Sequence, residues 1–346
     1  MRLINADNAA AYLRELGQIE GDEPVEVCEL AGGVSNVVLL VSPPAAPAFV
    51  LKQSRQQLRV ADPWFCSVER IWREVEVMRI CDRLLATPPG EPLPEGRIRT
   101  PSVLFTDDAN YLFGMTAAPP HTVWKQQLLN GEVHQEVATA CGQLLGTLHA
   151  GCWRDAEVAK RIGDRTFFDD LRVDPYYRHL GRRQPDLCAG LDRLCRSLED
   201  HCLSLVHGDF SPKNLLVSES GLLLVDFEVG HFGDPAFDLG FFLSHLVLKA
   251  VYARSGAEPY LQLTQRFWRS YLLQLEDQIP AASIDELSVR GILHCAACML
   301  ARVDGKSPVE YLDDIQRDMV RAVGRQLWFE PPQNWSQALD ALRPFC

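Results

Sequence analysis

Two short polar segments carry the residue types that could do chemistry in this chain. Residues 207–214 read HGDFSPKN and place Asp209 and Asn214 five positions apart. Residues 226–228 read DFE, so that Asp226 follows Asp209 by seventeen positions. Hard divalent cations such as Mg²⁺ prefer carboxylate and amide oxygens, but Asp and Asn are also common in tight turns. The segments therefore indicate either a metal site facing phosphate or two structural turns.

The spacing of these residues suits the transfer of a phosphoryl group. That reaction requires metal ions that neutralise the phosphates, a cation that positions them and an acceptor that orients the attacking hydroxyl. Asp209 is of the right type to be the acceptor, and Asn214 and Asp226 are of the right type to be metal ligands. The apolar runs NLLV and LLLV between the motifs predict a hairpin that brings both acids to one edge. Because all three residues occur together, we favour function over turn capping.

The first 118 residues predict a β-rich region with one crossing helix. An amphipathic helix is predicted within residues 1–20. The runs AGGVSNVVLLV and AFVLKQS predict a hairpin, and SVLFTDDANYLFGM predicts a strand, a turn and a strand. Apolar residues at mainly three- and four-residue intervals predict a helix over 67–85. Residues 87–101 are rich in Pro and Gly and predict a loop.

The character of the chain changes near residues 115–122. Residues 132–150 place apolar side chains on one helical face, and the chain from residue 238 onward is predicted to be mostly helical. Short apolar strands that feed polar turns are predicted in between. Segment 153–203 is polar and mixed in charge, and it gives no clear prediction. The sequence thus predicts an α+β fold with domains at 1–118 and 119–346.

The combination of HxDxxxxN, DFE and FDLG resembles the catalytic loop and metal-binding acid of protein kinases. It is most similar to the branch that holds aminoglycoside phosphotransferases, choline kinases and 5-methylthioribose kinases. FVLKQS followed by SVERIWRE looks most like the methylthioribose kinases, and LLGTLH and ARVDGKSPVEYL extend the likeness over nearly the whole chain. The resemblance implies a protein-kinase-like two-lobe fold with a small β-rich N-lobe and a larger, mostly helical C-lobe. It also implies an ATP- and Mg²⁺-dependent transfer of the γ-phosphate to a hydroxyl of a small molecule.

The same resemblance implies roles for the residues of the two motifs. Asp209 would be the catalytic base or the acid that orients the hydroxyl. Asn214 and Asp226 would hold magnesium. Glu228 stands where protein kinases have the glycine of their DFG motif, and it would add a carboxylate to the metal site.

The resemblance also implies a nucleotide site in the first 118 residues. Lys52 would contact the α- and β-phosphates and pair with Glu74, although Glu69 and Glu76 are alternatives on the same predicted helix. The other implied nucleotide-binding residues are Gly32, Gly33 and Ser35 in the loop over the phosphates, and Met115 and Ala117 at the adenine edge.

Gly208 is a departure from protein kinases, which carry an arginine there that answers a phosphorylated activation loop. Its presence argues against a phospho-regulated protein kinase. His207 is predicted to brace the loop rather than to carry protons. Asp238 in FDLG is predicted to accept backbone N–H bonds from that loop rather than to bind metal. A non-catalytic nucleotide-binding pseudokinase remains an alternative from another class.

Composition limits the classes of partner and the location. The 346 residues, 47% of them hydrophobic, can build one large core or two modest ones. The net charge of −12 argues against a nucleic-acid binder. Eleven scattered cysteines predict reduced thiols in a cytoplasmic protein, and CAAC (Cys295 to Cys298) predicts buried helix-face thiols. The run LGFFLSHLVLKAVYA is interpreted as too short to span a membrane, and the oligomeric state is left open.

The acceptor is predicted from charge alone. A polycation such as an aminoglycoside would prefer a plainly acidic cleft, whereas segment 153–203 holds several arginines among its acids. We therefore favour a neutral, sugar-like alcohol, with an aminoglycoside or a choline-like amino-alcohol as the alternative. Arg302, Asp304 and Lys306 either reach the substrate or close the last helices, and both interpretations stay open. The arginines of the segment are Arg154, Arg161, Arg165, Arg172 and Arg178.

Overall fold

The computed structural model describes residues 1–30, 36–57, 67–86 and 97–345. The strands in these residues are β1 (Glu26–Glu29), β2 (Asn36–Ser42), β3 (Phe49–Ser54), β4 (Arg97–Arg99), β5 (Val103–Asp107), β6 (Leu112–Thr116), β7 (Thr122–Val123), β8 (Ser204–Val206), β9 (Leu215–Ser218), β10 (Gly221–Leu224) and β11 (His231–Gly233). The helices are α1 (Ala9–Glu15), α2 (Arg70–Leu85), α3 (Trp124–Leu129), α4 (Gln135–Gly151), α5 (Ala156–Ile162), α6 (Thr166–Phe168), α7 (His179–Arg183), α8 (Pro185–Asp200), α9 (Ala236–Ala253), α10 (Glu258–Leu275), α11 (Ala281–Asp304), α12 (Asp314–Phe329) and α13 (Trp335–Leu342).

The N-terminal sheet is antiparallel and has the strand order β1-β2-β3-β6-β5. Side chains of β3 alternate between its two faces. Leu51 packs in a cluster with α1, whereas Val50 packs in a cluster with α2. Lys52 has the parity of Val50 and therefore points toward α2. The predicted hairpin of β2 with β3, and that of β5 with β6, are confirmed.

Helix α2 is the predicted crossing helix, and its bounds confirm the helix expected over 67–85. Its apolar residues are buried against the sheet and against the helical region, with Ile71, Val75 and Met78 in the main core. The same helix carries Glu74, which is almost completely buried. The packing of α2 therefore fixes the position of Glu74 relative to the sheet.

The second sheet has the order β4-β10-β9-β7 and includes the predicted hairpin of β9 and β10, which is confirmed as antiparallel. The loop predicted over 87–101 is wrong at 97–99, because β4 pairs in parallel with β10 there. A three-residue strand is too short to show a periodicity. A strand from the predicted first domain thus joins a sheet of the second, and the boundary at residue 118 stays a prediction.

Helix α9 forms the centre of the helical lobe. It is buried from Ala236 to Val251 and packs against α10 and α11. The segment Ala236–Gly256 is long and apolar enough to cross a membrane by length and composition, which corrects the interpretation that it is too short. However, 89% of its most apolar window is buried inside the protein, as in a core helix. The cytoplasmic location stays a prediction.

Segment 153–203, for which the sequence gives no prediction, is helical. Helices α5 to α8 occupy it, and a π-helical stretch, Asp169–Arg178, joins α6 to α7. Pro175 lies inside that stretch and cannot donate a backbone hydrogen bond, which favours a departure from α-helical bonding. Such π-helical stretches frequently occur at functional sites.

The cysteines in the described ranges are all free thiols. Cys295 and Cys298 are fully buried on α11, which confirms the interpretation of CAAC as helix-face thiols. Two cavities of about 480 and 300 Å³ are lined mainly by residues of α7, α8 and α12, and none of the residues predicted to bind nucleotide or metal or to orient the hydroxyl lines either.

Candidate active site

A buried carboxylate sets the shape of the loop that carries Asp209. Asp238, in the first turn of α9, accepts the backbone N–H of His207 at 2.6 Å and that of Gly208 at 2.9 Å. The backbone N–H of Asp209 donates to His207 Nδ1 at 3.1 Å. Burial lowers the pKa of His207, so that the ring is neutral and Nδ1 is free to accept this bond. Asp238 and His207 therefore act together on the loop backbone.

Gly208 is required by the geometry of this loop. Its φ of +76° lies in the left-handed region, which side chains of L residues rarely adopt. A Cβ at this position would lie 2.9 Å from Val229 Cγ2 and 3.0 Å from the Val229 carbonyl oxygen. There is no room for the arginine that protein kinases carry here, so Gly208 has a structural reason.

Two cations and an amide surround the Asp209 carboxylate. Arg172 Nη2 lies 3.0 Å from Oδ1, and Lys213 Nζ lies 2.7 Å from Oδ2. Asn214 Nδ2 donates to Oδ2 and to the Asp209 carbonyl oxygen, each at 2.9 Å. Although burial acts to raise the pKa of Asp209, the charges of Arg172 and Lys213 outweigh it and lower the pKa below the ordinary value. Asp209 is therefore held as a carboxylate.

Sequence reasoning missed Arg172 as a site residue. It lies in the π-helical stretch, and its Nε donates to the Gly208 carbonyl oxygen at 2.7 Å while Nη1 donates to Leu171 at 2.7 Å. Its side chain thus binds both the carboxylate of Asp209 and the backbone before it. No motif marks this arginine, because the contact depends on the folding of a segment with no clear periodicity.

Lys52 joins the two lobes through a pair of carboxylates. Its Nζ lies 2.6 Å from Glu74 Oε1 and 3.1 Å from Asp226 Oδ1. Glu76, one alternative to Glu74, pairs with Arg161 instead. Burial acts to lower the pKa of Lys52, but Glu74 and Asp226 outweigh it and raise the pKa. We take Lys52 and Glu74 as ionised, because the carboxylates of Glu74 and Asp226 both lie against the Lys52 ammonium.

Asp226 has a backbone conformation that few aspartates adopt. Its φ is +73°, and such left-handed positions cost energy that the surrounding structure must offset. Burial acts to raise the pKa of its carboxyl, but Lys52 and Lys213 outweigh it and lower the pKa. The strained turn therefore presents an ionised carboxylate beside the Lys52 ammonium.

The oxygen donors here fit a hard divalent cation. Asn214 Nδ2 is engaged by Asp209, so a metal would bind its Oδ1 together with the Asp226 carboxylate. Magnesium is usually held by one or two carboxylates plus the phosphates of the substrate. In the part of the chain that the structure describes, no cluster of three or more His, Cys, Asp or Glu side chains could hold a metal.

Glu228 is engaged by the N-terminal lobe. Its Oε2 lies 3.2 Å from Arg70 Nε on α2 and 3.1 Å from Asn36 Nδ2 on β2. A metal at Glu228 would have to compete with these contacts, so this role stays a prediction.

The remaining nucleotide residues are only partly described. Met115 lies on β6 opposite Val50, which places it on the strand next to Lys52. Ala117 follows the end of that strand and is half-buried. Gly32, Gly33 and Ser35 lie outside the described residues.

Comparison with known proteins identifies the family. Residues 26–272 match a family model described as the phosphotransferase enzyme family. The chain belongs to this family. It is 24% identical to a methylthioribose kinase from Yersinia pseudotuberculosis over 93% of this chain and 89% of that protein. The predicted resemblance is confirmed, and the protein is a small-molecule kinase, whose family implies the use of ATP.

Solved structures confirm the protein-kinase-like fold of this phosphotransferase. A choline/ethanolamine kinase family protein from Mesorhizobium loti aligns with a TM-score of 0.54 and 19% identity over 98% of this chain and 99% of that chain. An amicoumacin kinase in complex with AMP-PNP and Ca²⁺ aligns with a TM-score of 0.51 and 14% identity over 94% of this chain and 95% of that chain.

Proposed function

We propose that this phosphotransferase moves the γ-phosphoryl group of ATP, with Mg²⁺, to a hydroxyl of a sugar-like alcohol. The observation that carries the proposal is the arrangement of charges between the lobes. Lys52 lies 3.1 Å from Asp226. Asn214, whose Oδ1 would bind the metal, donates a hydrogen bond from its side-chain Nδ2 to the Asp209 carboxylate at 2.9 Å. A cation for phosphate, oxygen donors for metal and a carboxylate for the hydroxyl thus lie side by side.

Each of these residues has a distinct task in the proposed mechanism. Lys52, held by Glu74, positions the α- and β-phosphates. Asn214 Oδ1 and Asp226 would hold the magnesium ion, which when bound neutralises phosphate charge. The amicoumacin kinase complex with AMP-PNP and Ca²⁺ supports a divalent cation beside the nucleotide. Electrostatic positioning of this kind supplies most of the catalysis in phosphoryl transfer.

Asp209 orients the acceptor hydroxyl in this mechanism. Arg172 and Lys213 lower the pKa of its carboxyl, which makes it a weak base at neutral pH. A loose transition state develops little charge on the attacking oxygen until late, so a strong base is not required. The carboxylate therefore accepts a hydrogen bond from the hydroxyl and aligns it. It takes the proton as the hydroxyl oxygen bonds to the γ-phosphorus and the bond from that phosphorus to the bridging oxygen of ADP breaks.

A sugar-like acceptor is supported by the relatives and by local charge. The Yersinia relative is named for methylthioribose. Two cations at the Asp209 carboxylate, Arg172 and Lys213, oppose the approach of a polycationic acceptor. An aminoglycoside or an amino-alcohol is the second candidate.

An ADP-release screen tests the proposal. Purified protein with ATP and magnesium is offered neutral sugars, thiosugars, sugar acids, amino-alcohols and aminoglycosides. We expect turnover with a sugar-like acceptor and a loss of at least about a hundredfold in kcat for Asp209→Ala. Asp170→Asn, an exposed acid nearby, is the matched control and should keep full activity. ADP release at the no-acceptor rate for every class would favour the pseudokinase alternative.

A further inference from the structure

A stripe of side chains on α9 leads away from the catalytic loop. Asp238, Phe241, His245 and Lys249 follow one another at intervals of three or four positions, so they share one face of the helix. Asp238 holds the catalytic loop at the start of this stripe. The stripe therefore begins at the loop that carries Asp209.

Aromatic contacts connect this stripe to both Asp209 and Arg302. The Arg172 guanidinium lies 5.8 Å from the centre of the Phe241 ring, and the Tyr176 ring lies 5.6 Å from it. The Tyr176 hydroxyl is 3.3 Å from Arg302 Nη1. Arg302 is thus connected through Tyr176 and Phe241 to Arg172, which pairs with Asp209. Its neighbour Asp304 pairs with Arg321 on α12 at 2.8 Å, so Asp304 closes the last helices. Of the two interpretations that the sequence left open, the contact with substrate stays open for Arg302.

We call Lys249, Arg302 and Tyr311 the basic cluster. Lys249 is 1% exposed, and its Nζ lies 5.6 Å from the centre of the Tyr311 ring. In the described ranges no carboxylate lies within ion-pair distance of Lys249 or Arg302. Burial, followed by repulsion from Lys125 and Arg302, lowers the pKa of Lys249 to about 7.

The basic cluster also has hydrogen-bond donors without acceptors. The Lys249 ammonium donates to the His245 carbonyl oxygen at 3.2 Å. The Tyr311 hydroxyl and Arg302 Nε are buried and have no hydrogen-bond partner in the described part of the chain, whereas Arg302 Nη1 donates to the Ser307 carbonyl oxygen at 2.6 Å. Buried donors without acceptors cost free energy, and an unpaired buried charge costs more. Folding therefore leaves a group of donors that an anion would satisfy.

We propose that the basic cluster receives a negatively charged substituent, a carboxylate or a phosphate, of the alcohol whose hydroxyl is oriented by Asp209. This inference rests on the proposed function. It specifies that the sugar-like alcohol is anionic, in place of the neutral one that the sequence favours. The same charges reject amino-alcohols and aminoglycosides, because burying a cation beside Lys249 and Arg302 would add repulsion.

Matched acceptors test the substrate class. The probes are ribose, ribonate, ribose 5-phosphate, glucose, gluconate and glucosamine, each assayed for ADP release with ATP and magnesium. We expect kcat/KM for an anionic member to exceed that of its neutral parent by at least about tenfold. A preference for ribonate and gluconate identifies carboxylate as the ligand, and a preference for ribose 5-phosphate identifies phosphate. Equal or better use of the neutral or amino sugars overturns this inference but leaves the proposed function, whereas no turnover at all removes both.

Substitution of Lys249 separates binding from structure. Lys249→Met should raise KM for the anionic acceptor by about tenfold or more while KM for ATP is unchanged. Its melting temperature should stay the same or rise, because the change removes an unpaired buried charge. Lys249→Arg should keep the preference for anions, and Lys160→Met, which alters an exposed lysine on α5, is the control.

Tyr311→Phe removes only a hydroxyl and provides an independent test. It should also raise KM for the anionic acceptor and leave the fold intact. A lower melting temperature with no change in the ratio of anionic to neutral kcat/KM, in both Lys249→Met and Tyr311→Phe, would assign the cluster a purely structural role.

Discussion

Replacing Arg172 with methionine should create an acid limb in the pH profile of this kinase. Arg172 Nη2 lies 3.0 Å from Asp209 Oδ1, and both side chains are largely buried. At an effective dielectric constant of 20, two unit charges at that distance attract by about 5 kcal/mol. Removing Arg172 would cost less than this attraction, because water would enter the space of the guanidinium and Lys213 would still stabilise the carboxylate. We therefore expect the pKa of Asp209 to rise by about 1 to 3 units.

The sign of the effect follows from the ionised state of Asp209. In the native protein the pKa of this carboxyl is lowered, so the group stays ionised throughout the range from pH 5 to pH 8 that enzymes tolerate. In Arg172→Met part of the carboxylate would be protonated near pH 5, and kcat/KM would fall there. The stability that the depressed pKa contributes is present above the unfolded-state pKa, so the variant should lose stability at pH 7 and differ less near pH 3.

The assay is a pH profile of kcat/KM with the best acceptor of the screen. Arg178→Met is the matched control, because Arg178 lies exposed in the same π-helical stretch. We expect the control to keep the native profile, and circular dichroism verifies that both variants are folded. Absence of an acid limb in Arg172→Met, or the same limb in Arg178→Met, would refute the electrostatic role of Arg172.

Two further predictions concern the backbone and the link between the lobes. Gly208→Ala should lower the free energy of unfolding by about 1 to 3 kcal/mol, measured by urea denaturation, because φ is +76° and the added Cβ meets backbone; an unchanged midpoint would contradict this. Lys52→Met should raise KM for ATP by at least about tenfold, and it should destabilise the fold because Glu74 is left buried without its ion-pair partner. Adding Glu74→Gln should restore the stability but not the KM for ATP. Restored KM in the double variant would show that Lys52 acts only through Glu74.

The parts of the site that could be predicted from the sequence are those fixed by local geometry. Asp209 and Asn214 are five positions apart in one loop, and the β9–β10 hairpin brings Asp226 back to it, so a short stretch of chain determines their proximity. The pairing of Lys52 with Glu74 was implied by the family resemblance, which left Glu69 and Glu76 as alternatives, and the structure places Glu74 at Lys52.

Contacts between distant segments could not be predicted. Arg172 reaches Asp209 from a π-helical stretch without a clear pattern, and charge was its only signal. Lys249 was part of an apolar run whose burial depends on α10 and α11. Tyr311 follows α11 and meets Lys249 only in the folded lobe. The sequence showed that such cations exist, but their grouping depends on tertiary packing.

The contacts of the DFE segment indicate that this kinase is held in one lobe arrangement. Glu228 binds Arg70 on α2, and Asp226 binds Lys52, which in turn binds Glu74 on the same helix. Moving α2 outward would break both the Arg70–Glu228 and the Lys52–Glu74 contacts at once, although Glu228 would keep Asn36 and Lys52 would keep Asp226. With a glycine in place of Glu228, the contact with Arg70 would be lost and only the contact of Asp226 with Lys52 would remain. Glu228 in DFE therefore couples the turn that carries Asp226 to the helix that carries Glu74, the partner of Lys52.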